Sequence, residues 1–142
     1  MTFTILLAHA AAAWFMTGLI WFVQVVHYPL FDRVGADESS RYSVDNRRLT
    51  TCVVMPVMLV EGAMSAALVW LLPAPLQTAA WAGVAMLLSI WLSTALIQLP
   101  RHLNLSKGFD AGVHRGLVAS NWLRTILWSA RGMLALWLIA VH

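Results

Sequence analysis

The sequence predicts an all-α integral membrane protein, an up-down bundle of four transmembrane helices with little outside the bilayer. Three observations carry this. Of the 142 residues, 61% are hydrophobic and 11% charged, against roughly 25% charge in an ordinary soluble domain. Mean hydropathy is +0.76. The apolar residues fall into four runs, each close to the roughly 20 residues that cross a hydrocarbon core. A chain so poor in charge cannot cover its surface in water. Backbone groups in hydrocarbon must bond internally, and runs this long are helices rather than barrel strands. Four spans occupy nearly all of residues 1–142, so a single domain is expected.

Helix 1 is expected over about Phe3 to Val26, ending at His27-Tyr28-Pro29, where proline marks a break. Ala8-His9-Ala10 has the spacing of a cleavage site, but no basic segment and only a short apolar run precede it, so the first helix is expected to be retained. Asp32 to Arg48 holds most of the charges, and Asp37 or Ser39 is a candidate cap for a short helix leading into the next span. Helix 2 is expected over about Leu49 to Leu72, with Pro56 as a kink. Pro73-Ala74-Pro75 is a tight turn that makes helices 2 and 3 antiparallel neighbours. Helix 3 is expected over about Thr78 to Leu99, stopping at Pro100. Arg101 to Asp110 forms a polar connector containing Gly108. Helix 4 is expected from Ala111 or His114 to Val141.

Charge sets the expected topology. The 1–2 loop carries Arg33, Arg41, Arg47 and Arg48, and the 3–4 loop carries Arg101, Lys107 and Arg115. The N-terminus, the 2–3 turn and the C-terminus carry no Lys or Arg. Basic short loops stay in the cytoplasm, so both termini are expected in the periplasm of a bacterial inner membrane. The basic balance, Lys+Arg 9 against Asp+Glu 6, sits at helix ends and forms no patch, so nucleic acid is not an expected partner. Cys52 stands alone, which rules out an intramolecular disulfide or a cysteine-based metal cluster. Trp70 and Trp81 flank the outer turn as interfacial residues, while Trp91, Trp122 and Trp128 lie deeper.

Three charges fall inside apolar runs: Glu61, Arg124 and Arg131. A charge at a helix centre costs about 2.5–3.5 kcal/mol on insertion scales and normally points inward to a partner. Glu61 and Arg131 share a depth and are expected to approach each other directly or through Ser65. Either they form a buried pair locking helix 2 to helix 4, or they belong to a charged pocket. Helix 4 also shows a seam at 3–4 spacing: His114, Leu117, Asn121, Arg124, Trp128 and Arg131. Such a stripe either lines a site or bonds helices together.

Histidines form the second pattern. His9 and His27 lie eighteen residues apart, five turns at about 3.6 residues each, and share a direction. Thr94, Gln98 and His102 share a face of helix 3. His27, His102 and His114 therefore reach the cytoplasmic ends of three segments, with Gln24, Gln98, Arg47, Arg48, Asn121 and Arg124 at nearby depth. Histidines hold metals or haem and carry protons; arginines suit carboxylate and phosphate. The signal has moderate specificity, since the chain has no HExxH, no CxxC and no Gly-rich phosphate loop.

The first 62 residues or so contain a partial likeness. Arg47-Arg48-Leu49, six residues, then Pro56-Val57-Met58 resembles a helix start in the four-helix bacterial membrane protoporphyrinogen oxidases, which bind haem b. Helix 1 is loosely similar too, with His9, Trp14-Phe15, Gly18-Leu19 and a histidine at its cytoplasmic end. The resemblance implies a four-helix haem protein with His9 as haem ligand. Helix 3 departs from it in having no lysine, where that family has a functionally important one. Taken whole, the chain looks more like a family of small bacterial membrane proteins.

The function expected first is a membrane redox enzyme with haem b or a metal ion in a cytoplasm-facing pocket between helices 1, 3 and 4. His27, His102, His114, Asn121 and Arg124 are the candidate catalytic residues, the three histidines doubling as metal ligands. His9, Gln24, Gln98, Glu61 and Arg131 are the candidate cofactor contacts, Glu61 and Arg131 forming the floor. The alternatives are a structural or assembly subunit of a membrane complex and a small transporter using the Glu61–Arg131 pair. The expected partners are the bilayer and either further copies of the chain or a membrane complex. The topology is testable with a C-terminal fusion: a periplasm-active reporter should be active, and a reporter that fluoresces only in the cytoplasm should stay dark.

Overall fold

The computed structural model describes residues 1–31 and 33–142, with the side chains of all these except Ala36 and Asp37. Among them, four helices are long and apolar enough to cross a membrane. Helix 1 runs over Thr2–Phe31, helix 2 over Ala36–Leu71, helix 3 over Ala74–Leu105 and helix 4 over Ala111–Val141. Helix 1 packs on helices 2 and 4, and helix 3 packs on the same two, so the bundle closes as a ring in chain order. The connections are short: Leu72 and Pro73 join helices 2 and 3. The 3–4 connector turns at Gly108, whose φ of +155° favours glycine. Asp110 then caps helix 4, its carboxylate accepting the Val113 N–H at 2.8 Å.

Helix 3 begins at Ala74 rather than near Thr78, with Pro75 in its first turn, so only part of Pro73-Ala74-Pro75 is the connection. Three larger differences from the sequence expectation concern helix 2 and the prolines Pro29 and Pro100. Helix 2 begins at Ala36 rather than near Leu49, so the charges from Glu38 to Arg48 are part of one helix of 36 residues, while Asp32 lies outside the described residues. At 1.5 Å per residue that helix is about 54 Å long, well beyond the roughly 30 Å of a hydrocarbon core. Gly35 is its N-cap, without a side-chain cap bond. Ser39 is buried inside the helix, and the side chain of Asp37 lies outside the described residues. Pro56 sits within this helix without ending it.

The other two differences have one cause. Pro29 and Pro100 do not stop helices 1 and 3. Each is preceded by one π-helical turn, Val23–His27 in helix 1 and Thr94–Gln98 in helix 3. The Tyr28 N–H closes the first turn on the Val23 carbonyl, and the Leu99 N–H closes the second on the Thr94 carbonyl. A proline ring presses on the carbonyl four residues back and brings no N–H. The wider π-turn makes room for the ring just before it arrives, so the helix axis continues.

The four helices meet in one polar node. Arg131 of helix 4 donates to the Glu61 carboxylate of helix 2, to the Gly83 carbonyl of helix 3, and at 2.9 Å to Ser65 Oγ. Nε2 of His9, on helix 1, lies 3.2 Å from Glu61 Oε1 and 3.3 Å from Arg131 Nη2. Ser65 Oγ donates to the Glu61 backbone carbonyl at 2.8 Å and lies 3.4 Å from Glu61 Oε2. Glu61 is 0% and Arg131 1% exposed. All four helices reach the node at one level, between His9 seven residues into helix 1 and Arg131 ten residues before the end of helix 4. That is about 10–15 Å from the helix ends remote from the basic loops.

Apolar layers enclose the node. Leu6, Leu68, Val69, Leu72, Ala80 and Leu138 seal the bundle beyond it, and Met16, Ile20, Met58, Leu87, Ile90 and Trp128 pack on its other side. Helices 1 and 4 are also close. Thr17 Oγ donates to the Trp128 carbonyl at 2.9 Å, and a Cβ on Gly132 would meet Thr17 and Trp14 at 3.2 Å.

Removing one member of a buried pair strands the other charge, which costs about 3–5 kcal/mol. Glu61→Ala should therefore lower stability by about that amount. Glu61→Leu combined with Arg131→Met should lower it less than Glu61→Ala alone. Thermal or denaturant unfolding of the detergent-solubilised variants checks the order, and the opposite order would show that the pair carries no coupled charge.

Candidate functional site

At the basic end of the bundle the helices enclose a cavity of about 530 Å³. Its walls come from helices 1, 2 and 3, not from helices 1, 3 and 4 as the sequence predicts, because the helix 4 seam bonds to its neighbours and leaves Arg124 alone as its contribution. The half nearest the node is apolar, formed by Met16, Ile20, Met58 and Trp91 among others. The half nearest the basic loops is polar and cationic, with His27, Tyr28, Asn46, Arg47, Gln98, His102 and Arg124. No Asp or Glu is among the lining residues.

Backbone irregularity singles out this level of the bundle. Val23 and His27 come from the π-turn of helix 1, and Thr94, Ala95 and Gln98 from that of helix 3. On helix 2, Pro56 stands between the lining residues Met55 and Met58. π-turns inside α-helices gather at functional sites. Here they turn the two residues that precede an X-Pro step, His27 and Gln98, toward one space. Across from them, a Cβ on Gly62 would meet the Trp91 ring at 3.1 Å, so the bare backbone there is what lets that ring lie against helix 2.

The polar half holds a partly satisfied network. The Tyr28 hydroxyl lies 3.1 Å from His102 Nε2, with the Arg124 side chain close by. His27 bonds Asn46. Gln98 Nε2 donates to Ser120 Oγ at 3.1 Å. What remains is informative. Eleven buried side-chain polar atoms among the described residues lack a hydrogen-bond partner, and six of them belong to cavity residues: His27 Nε2, Arg47 Nη1, Trp91 Nε1, Gln98 Oε1, His102 Nδ1 and Arg124 Nε. Buried polar atoms are paired in the great majority of cases. Six lining residues that each keep an orphaned polar atom, around one space large enough for a drug-sized molecule, make the cavity a candidate binding site. Gln98 weighs most, because it is 1% exposed.

The residues expected from the sequence divide into two groups. His27, His102, Gln98, Arg124 and Arg47 line the cavity. The others do not. His114 turns away: its Nε2 lies 2.9 Å from the Tyr28 carbonyl and its ring stacks on Phe31 at 5.8 Å. Phe31 also meets the His27 ring edge-on at 6.2 Å, so one aromatic side chain touches both imidazoles. Among the described residues no three His, Cys, Asp or Glu side chains are grouped to hold a metal, which corrects the expected ligand set of His27, His102 and His114. The physical reason is direction: His114 shares their level but is spent on a backbone carbonyl.

Asn121 and Gln24 bond each other instead of facing the cavity. Asn121 Nδ2 donates to Gln24 Oε1 at 2.8 Å, and Gln24 Nε2 to the Val118 carbonyl at 3.3 Å. This part of the helix 4 seam joins helices. Glu61 and Arg131 are not the cavity floor, because the node consumes them. His9 belongs to the node as well. The hollow beside it measures about 10 Å³, at most a single water, and has no room for a porphyrin. Arg48 pairs with Asp45 at 3.8 Å on the surface.

Tyr28 and Asn46 are site residues that the sequence reading missed. A signal for Tyr28 was present: His27-Tyr28-Pro29 and Gln98-Leu99-Pro100 repeat the same polar-X-Pro pattern at the same level. Compared with known proteins, the chain matches no family model, no curated sequence and no solved structure.

His114→Ala should lower stability by about 1–3 kcal/mol, the cost of an unmet buried carbonyl, without altering what the cavity holds. Unfolding of the variant, with a comparison of molecules extracted from variant and parent protein, checks both halves. A change in bound molecules would return His114 to the site.

Proposed function

We propose that the chain is a multi-pass protein of the bacterial inner membrane that holds a lipid-soluble molecule in the cavity at the cytoplasmic end of its bundle and exchanges protons with that molecule's polar end. The observation that carries this is the six orphaned polar atoms around one amphipathic cavity. His27 Nε2 and His102 Nδ1 are the proton-exchanging atoms, since imidazole both gives and takes protons near neutral pH. Arg124 and Arg47 orient an acidic or quinone-like group. Tyr28 holds His102 in place beside Arg124. The enzyme class that fits is a membrane oxidoreductase, because oxidation or reduction of a quinone-like ring moves protons with electrons.

Haem b is a second reading, and the donor set favours it at a different place from His9. Two imidazole nitrogens without partners share the cavity with two arginines. A ligand nitrogen for iron and cations for propionates are what haem asks of a pocket. The resemblance to haem-binding oxidases in the first half of the chain points the same way. The transporter alternative gains less support, because the groups of all four helices already occupy the Glu61–Arg131 pair.

Gentle detergent extraction of the native protein, followed by visible absorption and mass spectrometry of its extract, tests the proposal. A lipid-soluble ring compound or a haem spectrum should accompany the protein. His27→Ala and His102→Ala should each lower turnover of that compound by about 100-fold or more, the usual size of an acid–base contribution, or strip the haem. Folded protein that carries neither and binds neither on addition would overturn the proposal.

A further inference from the structure

The cavity has a side door. Its lining residues on helix 1 are all buried or half-buried, whereas on helices 2 and 3 several are exposed. Thr51, Met55 and Leu59 make one stripe at four-residue spacing, and Ala95 and Leu99 make the facing one. Met55 is 48%, Leu59 59% and Leu99 44% exposed although each lines the cavity. These two stripes are the lips of a slot that follows the helix axes. In a bilayer the slot opens sideways into hydrocarbon.

The slot has the profile of half a membrane. From Arg47 to Leu59 helix 2 rises about 18 Å, and from Trp91 to His102 helix 3 rises about 16 Å. One leaflet of hydrocarbon is about 15 Å deep. Over that height the lining passes from thioethers, aliphatic chains and an indole at the level of Met58 and Trp91 to cations at Arg47 and Arg124. The cationic end is uncompensated within the cavity. The two guanidiniums face no carboxylate there, and each keeps a nitrogen without partner. Both arginines are half-buried, and a cation partly withdrawn from water without an anion carries part of the cost of a buried charge. An anion at that end removes the cost, and a hydrocarbon tail fills the rest.

We propose that the cavity takes a single-tailed acidic amphiphile of the bilayer, with a carboxylate or phosphate head, and that this molecule enters sideways between helices 2 and 3. The head lies against Arg47 and Arg124, with His102 and Gln98 offering further hydrogen bonds. The tail runs down the slot past Met55 and Ala95 to Trp91. This rests on the reading of the cavity as the site for a lipid-soluble ligand, and it narrows that ligand's head to an anion.

The whole protein in nanodiscs of neutral phosphatidylcholine allows the test. The probes are a fatty acid brominated along its tail, the methyl ester of the same acid, the matching alkyl phosphate, inorganic phosphate and a neutral long-chain quinone. Bromine quenches indole on contact, so the signal is the saturable quenching lost in Trp91→Phe. The acid should quench saturably, and the alkyl phosphate should compete with it. The ester should bind about tenfold or more weakly, the size expected for losing a charged hydrogen bond. Arg47→Gln and Arg124→Gln should each weaken the acid by about the same factor and leave the ester unchanged. Arg47 is only partly buried, so its variant reports even if Arg124→Gln fails to fold. Ala95→Phe, which narrows the lips far from the cations, should slow or abolish binding of both acid and ester. Equal binding of acid and ester with a silent Arg47→Gln overturns the acidic head. If the quinone then binds saturably, the broader reading stands without it. Competition by inorganic phosphate as strong as that by the alkyl phosphate overturns sideways access, because the site then opens to water. If no probe quenches saturably at Trp91, both readings fall.

Discussion

The Glu61–Arg131 pair is the contact on which the bundle depends. Helix association in lipid gains little from apolar surface, since hydrocarbon outside is as good a solvent as leucine. Polar groups that need each other supply the specificity. Arg131 reaches Glu61 on helix 2 and Gly83 on helix 3, and His9 brings in helix 1. The partners come from four helices, so a rotation of any one would unpair a buried charge. The small residues nearby follow from this. A Cβ on Gly132 would stand 3.2 Å from Thr17 Oγ1, tighter than ordinary contact, whereas one on Gly83 would make only ordinary contacts with Leu134 and Arg131. Close backbones let short polar groups reach across, where larger residues would hold the helices apart.

With the far half fixed by the node, the near half is released to enclose space. Leu6, Leu68 and Leu138 fill one side of the node, whereas on the other side the core thins beyond Met58 and Trp91 into the cavity. The two π-turns belong to this half. A π-turn weakens regular helical geometry for about one turn. The rigid node tolerates that cost at a distance, and the turns aim His27 and Gln98 inward.

Depth was legible in the sequence and direction was not. Hydropathy located four spans, and a rise of 1.5 Å per residue put Glu61 and Arg131 at one level. These are statements along the helix axis, and the Glu61–Arg131 contact agrees with them. The level of His27, His102 and His114 was read in the same way. Which way each ring turns depends on the angle around the axis, and two π-turns shift that angle where the 3.6 residue count assumes none. Tyr28, just past the π-turn of helix 1, reaches His102 in this way, whereas His114 sits on helix 4, which has no π-turn, and parts from the other two rings because its Nε2 meets the Tyr28 carbonyl. Prolines misled for a related reason. Read as stops, Pro29 and Pro100 placed helix ends where the chain in fact widens a turn and continues. Before Leu49 the sequence predicts a separate short helix capped at Asp37 or Ser39; the structure instead has one continuous helix from Ala36, long enough to carry these charges beyond the hydrocarbon.

Node and cavity use the same kinds of polar side chain in two different ways. Both places hold arginine and histidine inside the bundle. At the node Arg131 and Glu61 pair directly, His9 Nδ1 and Arg131 Nε stay without partner, and the hollow beside His9 is about 10 Å³. At the cavity the cations have no acid, the imidazoles keep a nitrogen without partner, and the space is about 530 Å³. The two are no more than a few turns apart on the same helices, so composition or depth alone cannot tell them apart. What does so is the count of unmet hydrogen bonds set against the room around them. On that measure the polar residues of helix 4 divide between two tasks. Asn121 and Arg131 bond across to other helices, whereas Arg124, three residues from Asn121, lines the cavity.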